Sequence, residues 1–217
     1  MAARAQTRKA GRPHGAPDTR EACLEAAERL FATQGFAATG LRQIGAAAGV
    51  TIATLIYHFG SKEKLYGKVL GRIADSITPY MPAPEGFEAD LDGVVAMVER
   101  FLDWSLDHGD YSALLLRELM ENPSRAAKAR RWYLLPLMEA YAAAIRAGQE
   151  AGRFGPCDPE MFGFYVTGAI THFQASTVTI QQMLTVGSRG EVIDRFRATL
   201  RANVRAMLMP AVPSPGR

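Results

Sequence analysis

The sequence predicts an all-α protein with about nine helices: a three-helix N-terminal helix-turn-helix domain, followed by a larger helical domain. Three observations predict this class. Apolar residues recur at helical spacing through most of the chain, no stretch alternates convincingly between polar and apolar residues, and capping residues or Gly/Pro breaks separate the periodic segments. The length of 217 residues is sufficient for a small domain joined to a larger one.

Four helices are predicted in the first eighty residues. Their predicted N-caps carry side-chain oxygens that accept backbone hydrogen bonds, namely Asp18, Thr39, Thr51 and Ser61. The predicted stops are Gly35, Gly49 and the prolines from Pro79 onward. Further helices are predicted at about 87–107, 110–121, 124–151, 158–184 and 189–208.

Composition excludes several classes of protein. Hydrophobic residues make up 48% and charged residues 22%, as in ordinary globular proteins, and no apolar run reaches the ~18 residues of a membrane span. The N-terminus does not resemble a secretory signal. Two distant cysteines, Cys23 and Cys157, are too few for a disulfide framework or a cysteine zinc site. We therefore expect a cytoplasmic protein without metal or cofactor.

Positive charge is concentrated at the front of the chain. Residues 1–80 contain eleven Lys or Arg and six Asp or Glu, a charge of +5 within a net +3. This asymmetry favours a polyanionic partner for the front of the chain. Residues 1–17 are predicted to be a disordered basic arm, in which Arg12 of a Gly-Arg-Pro segment enters the DNA minor groove. The alternative is a tail without specific contacts.

Helices two and three are short and joined by Gly49-Val50, which indicates a helix-turn-helix whose second helix enters the major groove. Tyr57, His58 and Lys62 suit contacts to phosphates. The small or apolar residues before them would approach base edges and thymine methyls, whereas Arg42 suits guanine. Alternatively, Tyr57 is a core aromatic and His58 is structural. Lys64 is interpreted as a solvated charge.

The ordered combination of these residues resembles the TetR family of bacterial transcription regulators. The resemblance covers residues 18–70 and rests on this series: Thr19-Arg20, Ala26-Ala27, Leu30-Phe31, Gly35-Phe36, Thr39, Leu41-Arg42, Ile44, Ala47 to Val50, Thr54-Leu55, Tyr57 to Phe59, Ser61-Lys62 and Leu65. It implies an all-α homodimer that binds a palindromic operator, usually to repress, and leaves DNA when a small molecule binds. The segment from Ile56 to Tyr66 is also similar to the CerR-like subgroup.

The resemblance assigns roles by position. It implies base contacts by Arg42, Ile52 and Ala53, and phosphate contacts by Thr39, Thr54, Tyr57, His58 and Lys62. The predicted DNA-binding set also includes Thr51, from the start of helix three, and Arg12, from the basic arm. Two departures matter, because many relatives have a polar or basic residue at Ile52 and Tyr at Ile56. Either the operator is read more through methyl contacts and DNA shape, or the basic arm compensates for these lost hydrogen bonds. We expect the second.

Residues 66–210 are predicted to bind ligand and dimerise, with a tail at 211–217. The resemblance implies a four-helix interface between copies, made by residues 158–184 and 189–208. Aromatic and methionine-rich stretches favour an apolar or amphipathic ligand, and the candidate ligand contacts are Phe101, Trp104, His108, Met120, Trp132, Tyr141, Tyr165 and His172. The alternative for most of them is core packing. For His172 it is a buried, hydrogen-bonded histidine.

Enzyme function is not expected, because the sequence has no Ser/His/Asp order, phosphate loop or HExxH motif. The carboxylate pairs Glu118/Glu121 and Asp103/Asp107 match the spacing of a solvated helix face. An alternative function is a DNA-binding architectural or adaptor protein without an inducer.

Overall fold

The computed structural model describes residues 18–81, 89–121, 134–184 and 187–210. Within these ranges the chain is helical, without strands, which confirms the predicted all-α class. The nine α-helices there are α1 (Thr19–Ala38), α2 (Leu41–Ala48), α3 (Ile52–Phe59), α4 (Lys62–Ile77), α5 (Leu91–Asp107), α6 (Gly109–Glu121), α7 (Leu135–Glu150), α8 (Pro159–Met183) and α9 (Arg189–Leu208), with a 3-10 turn at Thr78–Tyr80. The arm with Arg12, Trp132, the tail and the predicted helical residues 124–133 lie outside the described residues.

The predicted caps are confirmed at three of four helix starts. Backbone N–H groups donate to the side chains of Asp18, Thr51 and Ser61 at 3.0, 3.2 and 3.2 Å. Each bond satisfies one of the amides that a helix start leaves unpaired. These short-range bonds explain why α1, α3 and α4 begin at those positions.

The prediction that Thr39 caps α2 is wrong. Gly40 occupies the N-cap position, and the Gln43 side chain accepts from its N–H at 2.7 Å. Thr39 is 1% exposed, and its hydroxyl has donor–acceptor distances of 2.7 Å to the Gly35 carbonyl and 3.1 Å to the Leu30 carbonyl. The helical backbone of α1 is interrupted at Gly35, where φ is 80°. The Thr39 hydroxyl therefore satisfies carbonyls around this interruption.

The first four helices share an apolar core. Phe31 of α1 and Tyr66 of α4 meet edge to face, with ring centroids 4.9 Å apart. Helices α2 and α3 have only eight residues each, and helices that short are not stable in isolation. They are anchored by the fully buried Ile44 and the almost fully buried Leu55. Helix α4 also crosses the predicted domain boundary at residue 65.

A close backbone approach forms the turn between α2 and α3. Gly49 ends α2 in the left-handed region at φ 68°, and the Val50 N–H donates to the Gly45 carbonyl at 2.8 Å. A Cβ atom on Gly45 would lie 2.8 Å from the Val50 carbonyl oxygen, closer than such contacts normally occur. The turn thus needs both glycines, one for its dihedral angles and one for space.

Helix α5 is central to the larger part of the molecule. Its Phe101, Leu102 and Trp104 are buried, and α9 is tied to it by ion pairs. Arg197 lies 2.6 Å from Asp103, and Arg201 and Arg205 pair with Glu99 and Asp92, about one and three turns nearer the start of α5. Among the described helices, none combines the length and apolarity that crossing a bilayer requires.

A partly buried ionic network joins the first helices to this larger part. Arg72 of α4 contacts Glu21 at 2.5 Å and Glu28 at 3.2 Å, both on α1. From α6, the Tyr111 hydroxyl donates to Glu28 at 3.1 Å. Burial raises the pKa of Glu28, although Arg72 and Tyr111 each act to lower it. Burial, and then the charge of Glu28, raises the pKa of Tyr111 to about 12.

Substituting Gly45→Ala should destabilise the protein by about 1–3 kcal/mol, because the added methyl forces the Val50 carbonyl away. Urea denaturation measures this change. Gly71→Ala on α4 is the matched control: its Cβ would meet open space, so the helix should gain about 0.5–1 kcal/mol. Equal stability of the Gly45→Ala variant and wild type would contradict the close approach.

Substituting Tyr111→Phe should cost about 1–3 kcal/mol at pH 7, because Glu28 loses a donor in a partly buried site. The phenol donates only while protonated, so this stabilisation is fully present below the unfolded-state pKa of about 10. It is lost as the pH rises through about 12. Urea denaturation across this range should show wild type and variant converging. Tyr57→Phe, at a residue 85% exposed, should match wild type throughout.

Candidate nucleic-acid interface

Helix α3 divides sharply into an anchored and an exposed side. Leu55 and Phe59 are 1% and 7% exposed, whereas the adjacent Ile56 and Tyr57 are 48% and 85% exposed. Single exposed apolar residues are common on protein surfaces. Because Tyr57 buries so little of its ring, it adds little to the stability of the fold. The alternative that Tyr57 is a core residue is wrong. The exposed side of α3 is therefore available for a partner.

The start of α3 offers a nearly apolar surface. Ala53 is exposed and Ile52 partly exposed. The hydroxyls of Thr51 and Thr54 lie 2.9 Å apart and hydrogen bond to each other, while Thr51 also caps the helix. The polar capacity of this end is thus partly used within the protein. Arg42 of α2 is exposed nearby in the same helix-turn-helix unit, without an ion pair to the described residues.

Polar and cationic side chains follow at the other end of α3. The rings of Tyr57 and His58 meet at 74°, with centroids 5.2 Å apart. The Lys62 ammonium lies 4.2 Å from the centroid of the Phe36 ring, a cation–π contact that restricts its long side chain. These three residues, which the sequence predicts to contact phosphates, lie at the end of α3 and the start of α4 and are called the rim below. Thr39, also predicted there, is buried and does not reach the surface.

A cleft beside this rim was not predicted from the sequence. It has a volume of about 260 Å³ and is lined by Arg20, His58, Phe59, Lys64, Gly67 and Lys68. The sequence predicts that Lys64 is a solvated charge, and it assigns no function to Arg20 or Lys68. The only local signal was the four-residue spacing of the two lysines, which puts them on one face of α4.

The predicted ligand contacts do not converge on one cavity in the described structure. Phe101, Trp104 and Tyr141 are buried in the core, and burial raises the pKa of Tyr141. Met120 and Tyr165 are exposed. His172 is exposed too, so its predicted burial is wrong. The reason is that α8 has apolar residues on both sides, and only one side faces this chain's core.

His108 instead lines a second surface cleft of about 450 Å³ with Asp107, Tyr111, Gln174 and Arg189 among its neighbours. Its ring stacks between Trp104 and Tyr111, with centroid distances of 5.7 and 5.5 Å. The buried Gln174 Oε1 accepts no hydrogen bond from the residues that the structure describes. Because Tyr111 also contacts Glu28, this cleft adjoins the ionic network between α1, α4 and α6.

The outward side of α8 carries an exposed stripe. Residues at helical spacing contribute to it: Met161, Phe164, Tyr165, His172 and Val178. Several apolar residues of the predicted dimer helices lie instead in the chain's own core, including Ile170, Phe173, Val192, Leu200 and Val204. Helix α8 therefore packs inward on one side and leaves an apolar surface on the other.

Two family profiles together match most of the chain. The one described as "Bacterial regulatory proteins, tetR family" matches residues 24–69. The one described as "Tetracyclin repressor-like, C-terminal domain" matches residues 94–215, more than half of the chain. The first match contains α2 and α3 entirely, and the second contains α5 to α9 apart from the first turn of α5.

Individual proteins agree with these profiles. The HTH-type transcriptional regulator RutR of Escherichia coli (strain K12) is 28% identical over 89% of this chain and 90% of its own length. The HTH-type transcriptional repressor NicS of Pseudomonas putida is 30% identical over 69% of this chain and 72% of its own. The ketosteroid transcriptional regulator KstR2 of Mycobacterium tuberculosis shares the fold, with a TM-score of 0.67, 18% identity, and coverage of 89% and 96%.

These similarities agree with the geometry of the helix-turn-helix unit and with the expectation that the protein is not an enzyme. The CerR-like subgroup stays a prediction. The chain belongs to the TetR family of bacterial regulatory proteins and is a DNA-binding transcriptional regulator.

Proposed function

We propose that the protein is a cytoplasmic homodimeric repressor that binds a palindromic operator through α3 and leaves DNA when a small ligand binds. The observation that carries the DNA-binding surface is the exposure of Ile56 and Tyr57 beside the anchored Leu55 and Phe59. A short helix held by one side leaves its other side free to enter the major groove.

Base reading is assigned to the start of α3 and to α2. Ile52 and Ala53 contact thymine methyls, and Thr51 and Thr54 approach base edges or nearby phosphates with their remaining hydrogen-bonding capacity. Arg42 donates two hydrogen bonds to a guanine, the commonest arginine–base contact. With one strong hydrogen-bonding side chain, this surface reads its half-site mainly through methyl contacts and DNA shape.

Phosphate binding is assigned to Tyr57, His58 and Lys62. Tyr57 and His58 donate hydrogen bonds, and Lys62 supplies a charge held near its position by Phe36. The basic arm, with Arg12 in the minor groove, adds affinity that compensates for Ile52 and Ile56. Thr39 is omitted from this assignment because its side chain is buried.

Dimerisation is assigned to α8 and α9. The outward stripe of α8 supplies apolar area, including Phe164 and Val178, that the described residues leave exposed. A two-fold pair of such helices places two copies of α3 on successive half-sites. The buried residues of α8 and α9 support the interface from behind.

The ligand is assigned to the cleft around His108. The stacked rings of His108 and Tyr111 provide an aromatic surface, and Asp107, Gln174 and Arg189 provide polar groups, which together suit an amphipathic molecule. A ligand that displaces the start of α6 would pull Tyr111 away from Glu28 and loosen the attachment of α1. Thermal melting in the presence of metabolite pools distinguishes the two functions. A ligand sensor should gain stability from its ligand, whereas an architectural DNA-binding protein without an inducer should gain none.

The DNA-binding assignment predicts that Arg42→Ala weakens binding by about 1–3 kcal/mol and relaxes the preference for one base pair. Selection from a random duplex library, followed by footprinting, gives the operator, and titration gives the affinities. Tyr57→Ala should weaken binding to all sequences while leaving stability within about 0.5 kcal/mol of wild type. Arg146→Ala, an exposed arginine on α7, is the control. Unchanged affinity in both variants would contradict the assignment.

The dimer assignment predicts that Val178→Lys converts the dimer to a monomer, because it places two desolvated charges in an apolar interface. Sedimentation velocity measures the change in mass. Met120→Lys is a matched control, since Met120 is comparably exposed but lies on α6. A Val178→Lys variant that remains dimeric would place the interface elsewhere.

A further inference from the structure

The cleft not predicted from the sequence lies where three helices of the DNA-binding part meet. Arg20 comes from the start of α1, His58 and Phe59 from the end of α3, and Lys64 and Lys68 from the first turns of α4. Three cationic side chains and an imidazole thus surround about 260 Å³ of space. Arg20, Lys64 and Lys68 have no role in the contacts assigned above.

Neighbouring residues restrict the shape of this cleft. The Arg20 guanidinium lies over the ring of the buried Phe59, 5.3 Å from its centroid, and Asp18 fixes the start of α1. Gly60 has a φ of 80°, and a Cβ there would approach the Lys64 side chain to 3.3 Å. The absence of a side chain on Gly60 therefore leaves room for Lys64 to lie beside the end of α3.

The charges in the cleft are not neutralised locally. Within the described ranges, neither Arg20, Lys64 nor Lys68 lies within ion-pair distance of a carboxylate. By contrast, Arg72 on the next part of α4 pairs with two glutamates. Like charges that face one cleft repel each other, so an anion placed among them relieves the repulsion and gains attraction from all three.

Continuity with the recognition helix identifies the anion. His58 lines the cleft and also contacts Tyr57, the most exposed aromatic residue of α3. Phosphates beside a half-site follow the same strand past this rim. We propose that the cleft of Arg20, His58, Lys64 and Lys68 binds a backbone phosphate that flanks the half-site contacted by α3. This inference rests on the proposed use of α3.

This site also lies at the start of α1, close in sequence to the basic residues 1–17. Those residues are followed by the N-cap Asp18, and Arg20 is in the first turn of α1. A phosphate held by Arg20 fixes the start of α1 against the DNA backbone. The site thereby sets the point from which the preceding segment meets the DNA, and it lengthens the contact along one strand beyond the helix-turn-helix.

The test compares DNA affinity across salt concentrations for wild type, Lys64→Ala, Lys68→Ala and the double variant. The slope of log K against log[salt] is negative, and its magnitude should decrease by ~1 when the phosphate contact is lost. Binding of every duplex should be ~3- to 10-fold weaker at moderate salt. Arg146→Ala removes one positive charge from α7, as each single Lys→Ala variant does from α4, and should leave the slope unchanged. Slopes equal to wild type in the double variant would overturn the proposal.

A second measurement locates the contact. Duplexes carrying one neutral methylphosphonate at successive positions should show, for wild type, a sensitive phosphate outside the half-site. In the double variant that position should become insensitive, whereas phosphates contacted by Lys62 remain sensitive. Sensitivity that persists in the double variant would overturn the proposal.

The measurements distinguish a failure of the operator-binding function from a failure of the phosphate-binding cleft. If wild type binds only non-specific duplexes, the operator-binding function fails, and the salt slopes on those duplexes still decide the role of the cleft. If the double variant keeps both the wild-type slope and the sensitive phosphate on a discrete operator, the cleft fails while the function stands. Both lysines are exposed, so thermal melting should confirm that the variants remain folded.

Discussion

The ionic network of Glu28, Arg72 and Tyr111 is the constraint on which the arrangement of the molecule depends. Helices α2 and α3 are too short to persist alone and are held by α1 and α4. The network in turn ties α1 and α4 to α6. Burial of Glu28 makes a broken network costly, because a carboxylate without its partners remains largely shielded from water. The network thus adds directional contacts to the apolar core that the first helices share with the larger part.

Stability and the proposed DNA recognition are carried by different residues of the same helix. Leu55 and Phe59 hold α3 in place, whereas Ile56 and Tyr57 contribute little to packing. The surface of α3 is thus free to change its sequence preference without loss of the fold. The same separation applies to the cationic residues: Arg72 holds helices together, while Arg20 and Lys64 line the cleft without an ion pair to the described residues.

Local signals predicted the fold well, and tertiary packing explains the failures. The caps at Thr51 and Ser61 and the stop at Gly49 involve residues within one turn, so they are visible in sequence. The prediction that Thr39 caps α2 failed because its hydroxyl bonds to a carbonyl nine residues away. The prediction that His172 is buried failed because periodicity places residues on faces of α8 without showing which face meets the core. Composition identified aromatic material but could not distinguish a packed core from a cavity.

Helix α8 connects the proposed functions of the larger part. Its inner side packs in the core, its outer side carries Phe164 and Val178, and its Gln174 reaches the cleft of His108.

If two copies of α8 form the dimer interface, they are the fixed frame of the assembly. A ligand between α8 and the start of α6 then acts against that frame, and the movable element is α6 with Tyr111. Displacing Tyr111 changes the support of α1 and α4 in each subunit, and with it the separation of the two recognition helices. Among the described residues the Gln174 oxygen accepts no hydrogen bond, so the proposed ligand would be one that donates a hydrogen bond to it.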